Sequence, residues 1–122
     1  MLYEKGEFEE RLSWVYGAAL RAAAGEQSAQ EATRAAFQGA RPGESREALM
    51  QRAVRFALAR TPTRSLATLP PPEREVIGLA RILGLRVSEI AELVGCEPAE
   101  VKRRIRQGLE RLANPIPLAV AS

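Results

Sequence analysis

Four cations crowd into one short stretch near the carboxy-terminal end of the chain: Lys102, Arg103, Arg104 and Arg106. Like charges at this spacing repel unless an anion lies opposite, so the chemistry they offer is neutralisation of a polyanion such as nucleic-acid phosphate. Glu100, Arg103 and Gln107 recur at steps of three and four and share the outward side of a helix with Ala99. Their polar groups suit base edges; a carboxylate accepts from the amino group of cytosine, although it repels the phosphate backbone. Catalysis has no comparable foundation. The chain lacks histidine and aspartate, and Cys96 is its single cysteine. Triads, histidine-based metal sites, paired-aspartate sites and an internal disulfide are therefore excluded, and the glutamates and serines have no arranged partner. No enzyme activity, cofactor or metal is expected.

The cations need a helix to present them, and residues 88–112 read as a short helix, a tight turn and a longer basic helix. Ser88 is the expected cap of the first helix, whose apolar side is Ile90, Ala91, Leu93 and Val94. Ala91 is small where two helix axes would cross. Gly95 stands where the helix must stop, and Pro98 suits the first turn of the next one. On that second helix Val101, Ile105, Leu109 and Leu112 fall on the packing side, while Ala99, Arg103, Arg106, Gln107 and Glu110 fall opposite. Two helices joined in this way match a helix-turn-helix, whose second helix enters the DNA major groove. A basic solvated face alone would not distinguish this from any arginine-rich surface helix; the joint placement of Ala91, Gly95 and Val101 does. A helix starting at Pro71 or Pro72 and ending at Gly84, packed through Val76, Ile77, Leu79, Ala80 and Leu83, completes a three-helix unit.

With 122 residues and 46% apolar content, the chain is long enough for one ordinary domain or two very small ones. Charge is uneven: residues 1–40 carry a net −2, residues 41–64 a net +4 and residues 101–112 a net +4. Periodicity predicts a first helix over residues 4–24, a second from a Ser28 cap to Phe37, and a third from Ser45 to Arg60. Trp14 and Tyr16 read as packing residues rather than a base-stacking platform. Arg46, Arg52, Arg55 and Arg60 make the third helix a second candidate phosphate-facing surface. Four prolines between residues 61 and 72 break the helical pattern. The expected fold is therefore all-α with two small helical units: residues 1–60, a linker over 61–68, a helix-turn-helix domain over 69–113 without a wing, and a tail over 114–122. The tail, N-P-I-P-L-A-V-A-S, is apolar and is expected to fold back on the core or add to a partner. Cys96 reads as a buried turn residue. With no signal-peptide pattern and no 20-residue apolar span, a cytoplasmic location away from membranes is expected.

Residues 69–112 resemble region four of bacterial extracytoplasmic-function sigma factors. The Leu-Pro start, the Arg-Glu-Val helix, the Glu-Ile-Ala helix, the glycine turn and the Val-Lys-x-Arg helix ending in Arg-Leu occur in that family's order and spacing. The output domain of LuxR-type regulators shares the Arg-Glu-Val and Glu-Ile-Ala elements, while Arg104 and the Leu-Glu-Arg-Leu ending favour the sigma family. Residues 15–25 and 29–37 and the third helix echo region two, with departures. Gln30, Glu31, Arg34 and Ala35 stand for the usual acidic and Gln-Glu pairs, and Phe56 alone stands for the aromatic residues of the promoter-melting segment. Glu97 and Glu100 replace the small hydroxyl residue and threonine common near the recognition helix. The resemblance implies a sigma-like transcription regulator that binds double-stranded promoter DNA together with core RNA polymerase. The acids in the recognition helix keep an alternative open, an interaction module for polymerase, a sigma or anti-sigma factor, or itself, with little DNA binding.

Overall fold

The helical periodicity is realised in the residues the computed structural model describes, 5–113. They form α1 (Lys5–Ala22), α2 (Glu26–Gln38), α3 (Arg46–Arg60), α4 (Arg64–Ala67), α5 (Pro71–Leu83), α6 (Val87–Val94) and α7 (Pro98–Ala113). The fold is all-α. No helix among the described residues is long and apolar enough to cross a membrane.

Alanine sets how closely the first three helices approach. Ala18, Ala19 and Ala22 of α1, Ala29, Ala32 and Ala36 of α2, and Ala53 and Ala57 of α3 are buried where the helices meet. Small side chains bring the axes together, and the apolar area removed from water supplies the stability that short, alanine-rich helices lack in isolation. Thr33 is buried among them, and its hydroxyl is satisfied by donating to the Ala29 carbonyl at 2.7 Å.

The helix caps show where local sequence decided and where it did not. Ser45 caps α3 as expected, its hydroxyl accepting from the Ala48 N–H at 3.1 Å. Ser28 does not cap α2, because the Ala29 N–H already reaches the Gly25 carbonyl and the helix starts at Glu26. Ser88 does not cap α6 either. Arg86 holds that position, and the Glu89 carboxylate accepts its backbone N–H at 2.9 Å, which also holds the Glu89 carboxyl below its ordinary value.

Between Arg60 and Pro71, in the stretch expected as a linker, the chain contains a helical turn, α4, whose Leu66 is buried. An isolated bridge at Ala23 and Pro62 ties this segment to the end of α1. The Ala24 N–H donates to Thr61 and the Thr63 N–H to Ala22, at 2.9 and 2.8 Å, so Pro62 is needed as neither donor.

The helices on the two sides of this segment share one continuous core. Its centre is α5, which packs against α3 on one side and α7 on the other. Val76, Ile77, Leu79 and Ile82 are buried there. At Gly78 the two helices come so close that a Cβ would overlap the Leu58 side chain. Gly17, midway along α1, faces open space. Gly78→Leu should therefore lower unfolding stability by at least about 1–3 kcal/mol through overpacking. Gly17→Ala should raise stability by up to about 1 kcal/mol through helix propensity. Urea unfolding of both variants checks the pair; equal effects at the two positions would refute the close contact.

Candidate nucleic-acid interface

Gly95 ends α6 with φ 77°, the left-handed conformation that a side chain would resist. From there Gly95 and Cys96 both donate backbone N–H groups to the Ala91 carbonyl, at 2.9 and 3.1 Å. Three residues later Pro98 opens α7. Ile90, Ala91 and Val101 are buried where α6 and α7 meet, which is the helix-turn-helix arrangement the spacing predicts. Cys96 is half-buried in the turn rather than enclosed.

The packing side of α7 is rotated slightly from the expected one. Val101, Ile105 and Leu112 face the core, but Leu109 is 49% exposed. The inward position at that level belongs to Gly108, where a Cβ would overlap the Ile77 Cδ1 methyl. Gly108, which the sequence analysis does not single out, thus sets how deeply α7 seats on α5.

One buried carboxylate fixes the far end of α7. Glu73, in the first turn of α5, has a side chain only 6% exposed, and its Oε1 accepts from Arg111 Nε at 3.0 Å. The same helix is tied to its surroundings by Arg74, which donates to the Leu58 and Leu69 carbonyls at 3.2 and 3.0 Å. On the other side, Arg55 of α3 donates to Glu75 at 2.9 Å and to the Leu93 carbonyl of α6 at 3.3 Å. These contacts hold the helix pair in one orientation relative to the first three helices.

The predicted site residues separate into three groups. Ala99, Lys102 and Arg106 are exposed, and neither cation has an acidic partner among the described residues. Glu100, Arg103 and Gln107 form a connected row. Both Arg103 and Arg104 donate to Glu100: Arg103 Nε lies 2.8 Å from Oε1, Arg103 Nη2 bonds Oε2, and Arg104 Nε lies 2.8 Å from Oε2. Arg103 Nη1 donates to Gln107 Oε1 at 3.1 Å. Arg104 stands apart from the outward row and lines a cleft with Leu58, Pro71, Pro72 and Glu75. Its side chain is 26% exposed, against 49% for Arg103.

The arginines of the second basic surface expected on α3 all have partners inside the molecule. The Arg46 guanidinium lies 4.4 Å over the exposed Trp14 ring, and Arg60 lies 4.5 Å over Phe56. Arg52 makes a two-pronged pair with Glu44, at 2.6 and 2.8 Å, and holds that carboxyl below its ordinary value. Arg55 is engaged as described above. Each arginine read as a possible phosphate contact has found an anion, a carbonyl or a π face inside the molecule.

The family model of sigma-70, region 4 matches residues 63–112, from just ahead of α4 to within one residue of the end of α7. Residues 1–62, for which a likeness to region two was expected, lie outside that match. No curated protein and no solved structure matches the chain.

Hydrogen bonds from Arg103, and then from Arg104, hold the Glu100 carboxyl down at about 2 against an ordinary 4.5. The folded value is the lower one, so this carboxylate stabilises the fold fully above about 4.5 and ceases to do so as pH falls through about 2. A carbon-detected carboxyl titration should place Glu100 near the lower value. Replacing both Arg103 and Arg104 by Met should return it toward the ordinary one; an unmoved midpoint would show that the arginines are not its cause.

Proposed function

Taking the membership of residues 63–112 in the sigma-70 region 4 family as the premise, we propose that the chain is a sigma-like transcription regulator. It approaches promoter DNA with the outward side of α7 and acts together with core RNA polymerase. The observation that carries this reading is the exposure of Lys102 and Arg106 on a helix whose opposite side is anchored to α5 and α6. These two cations face phosphate directly. Arg103 joins them when it is released from Glu100, and Arg103, Gln107 and Glu100 reach base edges from the same side. Arg104, drawn toward α5, contributes to the placement of Glu100 rather than to phosphate contact.

Glu100 makes the affinity adjustable. While its carboxylate holds Arg103, that guanidinium is a neutralised pair and releases no counterion on binding. The logarithmic salt slope for a duplex should be about −1.8 for two neutralised phosphates, and Glu100→Gln should steepen it to about −2.7 by freeing Arg103. Titrations of promoter and random duplex over a range of salt test this; binding that does not weaken with salt, in either form, would sink the DNA reading.

The same carboxylate favours a second reading, in which the scaffold serves protein contacts and touches DNA little. A guanidinium already paired with an acid gains less from phosphate. Capture of core polymerase by the chain, with neither the parent nor Glu100→Gln showing duplex affinity, is the outcome expected on this reading.

A further inference from the structure

The apolar side of α7 carries one residue more than the core receives. Leu109 falls on that side, yet it is 49% exposed. It opens into a groove of about 470 Å³ that is also lined by Val87, Ile105, Lys102, Arg106 and Glu110. An apolar strip of this kind between helices costs free energy while it faces water, so a cover is favoured.

We propose that the cover is the stretch of this same chain that follows α7, residues 116–121, which lies outside the described residues. Its sequence, I-P-L-A-V-A, carries no charge and supplies apolar side chains to an apolar strip. Pro115 and Pro117 lack the N–H groups that a continuing helix would use. The reach is sufficient. From Ala113 back to Lys102, the far end of the groove, α7 spans about 16 Å, whereas the eight residues 114–121 extend to about 26–29 Å. The larger apolar groove of the molecule, between α1 and α2 and lined by Phe8, Leu12, Tyr16 and Phe37, belongs to helices on which α7 does not pack.

Seated along α7, the stretch covers Leu109 and lies against the stems of Lys102 and Arg106. The two cations assigned above to phosphate would then carry an intramolecular cover. That consequence rests on the DNA reading, whereas the seat itself does not.

The test is made without nucleic acid, so its failure leaves the DNA reading standing. A nitroxide is placed on Val120→Cys in a Cys96→Ser background whose circular dichroism matches that of the parent, and the methyl-labelled chain is diluted into unlabelled, nitroxide-free protein. The expected result is loss of the Val87, Ile105 and Leu109 methyl signals, and their return when Leu118→Asp is added. Intact signals at all three residues would overturn the proposal, as would loss confined to Leu12 of the α1–α2 groove. Loss seen only when nitroxide and isotope sit on different molecules would assign the groove to a second copy and also overturn it.

Discussion

The close approach of α5 to its two neighbours is the constraint from which the rest of the molecule follows. On one side Gly78 admits the Leu58 side chain of α3; on the other, Gly108 of α7 admits Ile77. Leu58 and Ile77 are each about 99% buried by these contacts, and full burial of such a side chain is worth about 1.5–3 kcal/mol. Without the missing Cβ atoms both helices would have to stand further from α5, and the side chains around it would lose contacts that fall off steeply with distance. The helix pair and the first three helices are therefore parts of one packed body.

This rigidity has an electrostatic counterpart. Glu73 with Arg111 ties α5 to α7, Glu75 with Arg55 ties it to α3, and Arg74 donates to the Leu58 and Leu69 carbonyls. A buried carboxylate such as Glu73 is costly unless paired, so Arg111 is committed to structure and lost to ligand chemistry. The same logic applies across α3, whose arginines are spent on Glu44, Glu75, Trp14 and Phe56. Of the basic residues that give the chain its net charge of +3, α7 leaves Lys102 and Arg106 open to solvent with no acidic partner among the described residues. Glu100 sets the state of a third cation, Arg103, beside them. The proposed interface is thus defined as much by which cations have been withdrawn as by which are exposed.

Much of this was legible from local rules. The glycine stops at Gly84 and Gly95, the proline starts at Pro71 and Pro98, the Ser45 cap and the extent of α3 all depend on backbone preferences that act within a few residues, and each stands where periodicity and capping place it. The failures at Ser28 and Ser88 come from competition at the same range, since a neighbouring backbone or the Glu89 side chain satisfied the helix start first. Leu109 was misjudged, and Gly108 passed over, for a different reason. A helical wheel fixes angles between residues but not the rotation of the helix against its neighbour, and that rotation was set by the space Ile77 requires.

The sequence by itself determined that the described residues fold as helices, that a glycine turn joins a short helix to a basic one, and that histidine chemistry, aspartate chemistry and an internal disulfide are not on offer. Those properties are carried by residue type and spacing along the chain. The tertiary structure alone decided which charges remain free, because pairing depends on distance between groups far apart in sequence, as Arg55 and Leu93 or Glu73 and Arg111 are. It also decided that the helices matching the region-four model share their core with the helices before them, since packing is a property of surfaces brought together and not of the pattern on either one.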